Sequence, residues 1–449
     1  MRLFELLLTL EVIISLFLFF REKRNVKSIN ILAIITIITF ALHYFIEGIR
    51  WQLYFIYLIC IIIILFNLTK GKINKKWLRN ILLISSLLIV VFSSTLAIIL
   101  PVFKLPEMHS KFSVGTDYMT FKDKERDNRI INVKVWYPTS AHDGVNDLYC
   151  QNPIESLNGL MGMPGFVFGH LILVKTGAFY KSDILNTTNK YPLIIYLHGA
   201  VSTNVDNTEL LQELAGNGYI VMAIDFKFSY ESYHLNKSEA TTMNFESQMR
   251  FSASLFQKVV PNQVEDILFC INEMQTKKYR LSDYIDFSKI SLIGHSLGGS
   301  TAINASLENK NIAAVVNIDG PIDKDAILRF HSPLLYISSY SPDLSDEKLT
   351  NKGLPDTHFY RDVKNFELKN VRQIFNKNQD QSHWVRFKNA GHLDFTDLAF
   401  VIPLMKTKGY DKTKGDSLKT VMILDFLDCS LNKTKIFNKI KNNSIEWIK

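Results

Sequence analysis

Residues 290–303 read Ile-Ser-Leu-Ile-Gly-His-Ser-Leu-Gly-Gly-Ser-Thr-Ala-Ile and combine a strand, a turn and a helix in one run. The apolar part before the turn has the length of a buried strand, and the part after it has a helical pattern. The turn, Gly294-His295-Ser296-Leu297-Gly298, is a G-x-S-x-G motif in the strand–turn–helix context that this motif requires. Its glycines make room for a strained serine whose Oγ stands above a helix N-terminus, where the dipole favours developing negative charge. The run therefore predicts Ser296 as a nucleophile within an α/β domain.

Alternating strand and helix patterns surround this motif. A β-rich hairpin is predicted at 112–121 and 130–137, with a charged turn between its strands. Further strands are predicted at 192–197, 219–224, 289–293, 312–318, 333–338 and 384–387, and helices at 208–217, 263–275 and 297–308. Residues 139–190 are punctuated by glycine and proline, and we interpret them as an excursion from the sheet. The order of strands and helices predicts a mostly parallel sheet that is covered on both faces.

The first hundred residues have the composition of a membrane protein. Apolar runs lie at 3–20, 29–46, 51–68 and 78–100. Each run is close to the ~20 residues that are needed to cross a hydrocarbon core. We therefore predict three parts in the chain: a four-helix transmembrane anchor at 1–100, a linker at 101–110 and a catalytic α/β domain at 111–449.

The net charge of +8 is concentrated in the apolar part. Residues 1–100 hold eleven Lys/Arg and four Asp/Glu, so the rest of the chain is close to neutral. A nucleic-acid-binding domain would carry a basic patch on its folded surface. The sequence therefore excludes nucleic acid as a partner and predicts the lipid bilayer instead.

Basic side chains also predict the orientation of the anchor. They are concentrated in the connectors after the first and third apolar runs, as Arg21, Lys23, Arg24, Lys27, Lys70, Lys72, Lys75, Lys76 and Arg79. Because positive charge is retained on the cytoplasmic side of a membrane, both connectors are expected inside. The prediction is a multi-pass protein of the cell membrane whose soluble domain lies on the extracytoplasmic side.

A nucleophilic serine needs a histidine base and an acid that orients the base. In this strand–turn–helix context the chain order is serine, acid, histidine. Asp319 directly follows a predicted strand and Asp343 lies just beyond the next one, and on these grounds the two acids are equally good candidates. We predict His392 as the base because it follows the last strand, whereas His383 begins that strand and His358 lies in a polar connector.

Two backbone N–H groups are needed to hold the oxyanion that forms when the serine attacks. One is expected from Leu297, next to the nucleophile, and the other from Ala200, in the loop after the strand at 192–197. His198 lies at the start of that loop. Because it precedes the serine in the chain, we interpret His198 as a hydrogen-bonding residue that shapes the loop.

The four cysteines, Cys60, Cys150, Cys270 and Cys429, are far apart and form no C-x-x-C pair. Zinc ligation is therefore not expected. The small number of cysteines indicates a core that is stable without disulfides, although a bridge among the last three stays open. We expect a reaction that needs neither a metal ion nor a cofactor.

Several short segments of the soluble part, taken together, resemble one family. They are Tyr137-Pro138, 192–199, Gly218-Tyr-Ile-Val-Met-Ala, Ile285-Asp286, 294–299 and Phe395-Thr-Asp-Leu-Ala-Phe. In this combination they resemble the plasma-type platelet-activating factor acetylhydrolases and their bacterial relatives. The resemblance extends over about residues 112–430 and leaves out the apolar runs.

This resemblance implies the α/β-hydrolase fold and the hydrolysis of carboxylic esters. In that family the acid lies shortly after the strand that follows the elbow helix, and the matching residue here is Asp319. The chain departs from the family at a polar insert, 348–381, and at Phe226-Lys-Phe228, where relatives often place a His-Arg pair. Both departures fall where substrate would bind. Aromatic residues within 226–260 indicate either an apolar lid beside the pocket or side chains that pack in the core.

The leading hypothesis is a serine esterase that cleaves a lipid-like or short-chain ester through an acyl-enzyme. The same residues would also serve acyl transfer to another acceptor or peptide cleavage. A third hypothesis is a membrane sensor or transporter whose hydrolase domain only binds a ligand. The sequence leaves the natural substrate and the oligomeric state open.

Overall fold

A computed structural model describes residues 1–22, 25–69, 73–200, 202–226, 255–276, 279–339, 369–378, 381–432 and 436–448. Some sequence predictions lie outside these residues. They are Asp343, His358, four of the basic connector residues and most of the 226–260 and 348–381 segments.

The soluble part of the chain is built around one sheet. Its strands are β1 (Ser113–Asp123), β2 (Arg129–Thr139), β3 (Asn146–Leu148), β4 (Lys175–Tyr180), β5 (Tyr191–Leu197), β6 (Ile220–Asp225), β7 (Ile285–His295), β8 (Ile312–Ile318), β9 (Leu334–Ser338), β10 (Ser382–Phe387) and β11 (Ile445–Ile448). Within the described residues their order is β11-β10-β9-β8-β7-β5-β6-β2-β1-β4-β3. The neighbours from β10 to β6 are all parallel. The mostly parallel sheet predicted from the sequence is confirmed.

Helices cover both faces of this sheet. Within the described residues, those of the soluble part include α5 (Pro153–Ser156), α6 (Thr208–Gly216), α7 (Val260–Gln275), α8 (Leu297–Glu308), α9 (Lys324–Arg329), α10 (Leu398–Val401) and α11 (Lys412–Asn432). Apolar side chains of α7 and α8 pack into one buried cluster with the sheet, and those of α6 and α11 pack into another. Burial at ~25 cal/mol per Å² of apolar area makes these two layers the main source of stability.

The predicted β-hairpin is confirmed, because β1 and β2 pair in antiparallel register over their full length. The interpretation of residues 139–190 as an excursion was wrong in part. β3 and β4 form an antiparallel pair, and β4 extends the sheet beyond β1. Such an edge pairing joins residues that are distant in the chain, so local patterns do not reveal it.

Four apolar helices occupy the start of the chain: α1 (Leu3–Phe19), α2 (Val26–Leu42), α3 (Tyr54–Leu68) and α4 (Lys76–Ile99). Three helical spans among the described residues, Val26–Glu47, Trp51–Leu68 and Lys76–Ile99, are long and apolar enough to cross a membrane. α1 has 17 residues and packs against the others through Leu8, Val12 and Leu16. A fourth crossing by α1 therefore stays a prediction. Within the described residues, none of the four cysteines forms a disulfide.

Candidate active site

Ser296 lies between β7, which ends at His295, and α8, which begins at Leu297. Its backbone has φ 55° and ψ −125°, a sparsely populated conformation of positive φ that costs on the order of 1–3 kcal/mol for a residue other than glycine. The Ser296 N–H donates to the carbonyl of Ile318 at 2.9 Å, and the Ser296 carbonyl accepts from Gly299 N–H at 2.9 Å. The strained corner is thus held by both the neighbouring strand and the helix.

Glycines are required on both sides of this corner. A Cβ on Gly298 would lie 2.1 Å from the carbonyl oxygen of Leu197, at the end of β5. A Cβ on Gly294 would lie 2.1 Å from the carbonyl oxygen of Gly298. No side chain fits at either position, so the elbow is tight for the steric reason that the motif predicts.

Asp319 and His392 are joined by a hydrogen bond. The His392 Nδ1–H donates to Asp319 Oδ2 at 2.8 Å, and the other carboxylate oxygen accepts from Ser339 N–H at 2.9 Å. The Asp319 side chain is buried, whereas that of His392 is 42% exposed. Because the carboxylate accepts from Nδ1, the tautomer that results leaves the Nε2 lone pair free to accept a proton.

Ser296 and His392 line the same cavity, which has a volume of about 270 Å³. Ala200 and His295 also line it, with the polar side chains of Ser202, Thr203, Asp206 and Thr396. Its apolar walls are formed by Leu157, Leu160, Leu171, Val205, Leu398 and Val401. Within the described residues, no hydrogen bond joins Ser296 Oγ to His392 Nε2. Such bonds commonly shorten only when substrate is bound.

His198 holds the loop that carries Ala200. The imidazole is fully buried, its Nδ1–H donates to the Gly199 carbonyl at 2.8 Å, and its Nε2 accepts from Phe226 N–H at 2.9 Å. In a trans peptide the N–H points away from the carbonyl of the same unit. Fixing the Gly199 carbonyl therefore fixes the direction of the Ala200 N–H. The interpretation of His198 as a loop-shaping residue is confirmed.

Leu297 is the first residue of α8. Its N–H belongs to the first turn, where backbone N–H groups have no partner within the helix. Its side chain points into the buried cluster beneath α8. Leu297 could therefore serve the site only through its backbone, as the sequence predicts.

His295 is a residue that the sequence reasoning missed. Its ring is buried, and the centroids of the His295 and His392 rings are 4.7 Å apart. The His295 Nε2 lies 3.0 Å from the carbonyl oxygen of His392. Burial, with a smaller effect of the His392 imidazole, lowers the pKa of His295 to about 3. A neutral His295 can donate to that carbonyl and so position the loop of the predicted base. Its place inside the G-x-S-x-G motif was the only available signal, and that motif accepts any residue there.

His383 lies away from the cavity. Its ring stacks on Phe437 with centroids 4.5 Å apart, and burial lowers its pKa to about 4. It behaves as a packed residue of β10, as expected for a side chain at the start of that strand.

Comparison with known proteins identifies the family of this chain. The family described as platelet-activating factor acetylhydrolase, isoform II, matches residues 98–280 and 261–446. The chain belongs to this family. The platelet-activating factor acetylhydrolase of Canis lupus familiaris is 25% identical over an alignment of 318 residues, which covers 57% of this chain and 68% of that protein. The Cavia porcellus protein of the same name is 26% identical over an alignment of 312 residues, which covers 62% of this chain and 68% of that protein.

The fold has solved relatives of low sequence similarity. A ferulic acid esterase from Streptomyces cinnamoneus superposes with a TM-score of 0.57 at 17% identity and covers 78% of this chain and 100% of its own. This likeness shows the α/β-hydrolase fold. Membership in the family makes the chain an ester hydrolase.

Proposed function

We propose that the chain is a serine esterase that hydrolyses a carboxylic ester through an acyl-enzyme. Ser296 is the nucleophile, His392 the base and Asp319 the acid that orients the base. The observation that supports this most strongly is the 2.8 Å bond from His392 Nδ1–H to Asp319 Oδ2, on a histidine that shares its cavity with Ser296.

In the first half of the reaction Ser296 Oγ attacks the ester carbonyl while His392 Nε2 takes the hydroxyl proton. The carbonyl oxygen becomes an oxyanion, which the N–H groups of Ala200 and Leu297 stabilise. Collapse of this intermediate breaks the ester bond, and His392 returns the proton to the departing alcohol. Water then repeats the sequence on the acyl-enzyme and releases the acid.

The cavity supports a short or lipid-like acyl group as the part that is transferred. Its walls are mostly aliphatic side chains, and each methylene buried there contributes about 0.8 kcal/mol to binding. Relatives named platelet-activating factor acetylhydrolase act, by that name, on an acetyl ester. A small acyl group on a lipid alcohol agrees with both observations.

An ester panel tests this proposal. We expect turnover of p-nitrophenyl esters to be highest for acetyl to hexanoyl chains and to fall with longer chains as the cavity fills. Initial rates on the purified chain, with an added alcohol acceptor in parallel, would also separate hydrolysis from acyl transfer. A protein that cleaves none of these esters would contradict the proposal.

His198 gives a prediction of its own. We expect His198→Ala to lower kcat on the order of 10²-fold with little change in KM, because an oxyanion donor acts in the transition state rather than on bound substrate. Steady-state kinetics on p-nitrophenyl butyrate would measure both constants. His383→Ala is the matched control, since it removes another imidazole, one that is half-buried and lies outside the cavity. An unchanged kcat for His198→Ala would mean that this imidazole does not position the loop.

The proposal includes a place in the cell. The anchor at 1–100 holds the catalytic domain at 111–449 on the extracytoplasmic side of the cell membrane. Three apolar helical spans support membrane insertion. The basic first and third connectors support the orientation.

A further inference from the structure

Two loops hold groups that act on the substrate in the proposed reaction. The base loop, 388–397, lies between β10 and α10 and contains a short 3₁₀ turn, His392–Phe395. The oxyanion loop, 198–207, carries Ala200 and ends at Asn207, the N-cap residue of α6. The two loops come from distant parts of the chain. Their relative position therefore depends on contacts between them and with other elements.

Lys419, on α11, is hydrogen-bonded to both loops. Its Nζ donates to the Phe395 carbonyl at 2.9 Å and to Asn207 Oδ1 at 3.3 Å. An ion pair with Asp416, whose Oδ1 lies 3.1 Å from Nζ, holds the ammonium from its own helix. The three donors of an ammonium can be directed to three separate groups. Lys419 thus joins the base loop, the oxyanion loop and α11 at one point.

The bond to Phe395 fixes the end of the turn that begins at His392. Carbonyl groups at the end of a helical turn have no partner within it. Phe395 is fully buried, so water does not provide one. The start of the turn is held by other groups, since Asp394 Oδ2 accepts from Gly391 N–H at 2.7 Å and His295 Nε2 faces the His392 carbonyl. The predicted base is therefore held from both ends of its turn.

The two loops are also in contact with each other. Asp397 N–H donates to the Asp206 carbonyl at 2.6 Å. Asn207 Nδ2 donates to the Tyr196 hydroxyl, which donates in turn to Asp206 Oδ1, each at 2.6 Å. Because Lys419 donates to the other side of the Asn207 amide, this chain of hydrogen bonds begins at its ammonium.

The charge of Lys419 is retained although its side chain is fully buried. Burial lowers the pKa of its ammonium, but the carboxylates of Asp416 and Glu209 raise it by more, so the pKa lies above its usual value. A buried ion pair often stabilises a fold no better than apolar side chains of similar volume. The geometry that the ammonium imposes on the two loops explains a lysine at this position better than stability does.

We propose that Lys419 is a positioning residue that fixes the base loop relative to the oxyanion loop. This inference rests on the proposed esterase function. Lys419 does not line the cavity, so it acts through the two loops and not on the substrate. It keeps His392 and the Ala200 N–H at the spacing that the transition state requires. A misplacement of about 1 Å in such a constellation can lower the rate on the order of 10²-fold.

Lys419→Met tests the inference, because it keeps a side chain of similar length and removes the charge and the donors. We expect kcat on p-nitrophenyl butyrate to fall on the order of 10²-fold. KM should stay within about threefold, since the residues that line the cavity are unchanged. Steady-state kinetics on the purified full chain would measure both constants, and thermal unfolding of the same samples would report stability.

Lys412→Met is the matched control. Lys412 lies on the same helix, is buried and also pairs with Asp416. Within the described residues its Nζ donates to Asp416 and to neither loop, and it lies 5.0 Å from the centre of the Phe400 ring on α10. Its loss should lower the Tm about as much as the loss of Lys419, yet leave kcat within about threefold. A lysine that only stabilised the fold would give both variants the same kinetics.

Asn207→Ala keeps the inference testable if Lys419→Met does not fold. It removes the acceptor on the oxyanion loop and leaves the bond from Lys419 to the Phe395 carbonyl in place. We expect kcat to fall about tenfold with KM nearly constant, because one of the two loops is released.

The inference would be overturned if kcat of Lys419→Met stayed within about threefold of the unmodified chain, or if the loss appeared in KM alone. An equal loss of kcat in Lys412→Met, or an unchanged kcat in Asn207→Ala, would also overturn it. An unmodified chain that cleaves no p-nitrophenyl butyrate would instead refute the proposed esterase function, so the two failures are distinguishable.

Discussion

Replacing Ser296 with alanine is expected to lower kcat for ester hydrolysis on the order of 10⁶-fold, because no other group can form the acyl-enzyme. Binding and the oxyanion N–H groups would leave a small residual rate. The measurement is the initial rate on p-nitrophenyl acetate at equal protein concentration. The fold should persist, because the change removes one hydroxyl from a corner that backbone hydrogen bonds hold.

Ser300→Ala provides the control for this prediction. Ser300 follows Ser296 on α8, is buried, and donates its hydroxyl proton to the Pro321 carbonyl at 2.5 Å. Its loss should leave the rate per folded molecule within about threefold, since it has no part in the chemistry. Ester turnover by Ser296→Ala that approaches the Ser300→Ala rate would refute the assignment of the nucleophile.

Asp319→Asn is expected to lower kcat about 10⁴-fold, the second largest effect. The amide can donate to His392 Nδ1, which favours the tautomer with its proton on Nε2 and so blocks the base. The bond from Ser339 N–H would persist, because the side-chain oxygen still accepts it. Single-turnover acylation measured across a range of pH would separate this loss from slower product release.

Asp343→Asn is the matched control, because Asp343 was the other acid that the sequence offered. It should leave acylation close to that of the unmodified chain. The reverse result, a large loss at 343 and a small one at 319, would transfer the role of the acid to Asp343.

The sequence predicted the fold well where local sterics decide it. The motif predicts that a tight turn requires glycine at 294 and 298. The structure shows this constraint, because an added Cβ would meet the carbonyl oxygen of Gly298 in the first case and that of Leu197 in the second. The parallel strands were predicted from continuous apolar runs, because burial on both faces removes the alternation of polar residues. These features depend on neighbours in the chain.

Features that depend on contacts between distant segments could not be predicted. Asp319 and Asp343 both follow strands, and residue patterns alone left them equivalent. His295 and His392 are neighbours in space because the loop after β10 folds back over the elbow. The contact of Trp51 with Phe166 and Val167 joins the anchor to the segment that the sequence predicts as an excursion from the sheet. α1, at 17 residues, is too close to the minimum length for a pattern to decide whether it spans.

The most direct test of the central claim is to find the residue that a fluorophosphonate modifies. The purified chain would be inactivated with the reagent, digested and examined by mass spectrometry. The account predicts one phosphonyl group, on Ser296, appearing in step with the loss of esterase activity. The account would be contradicted if the reagent modified a different residue. It would also be contradicted if the reagent left the chain unmodified and fully active.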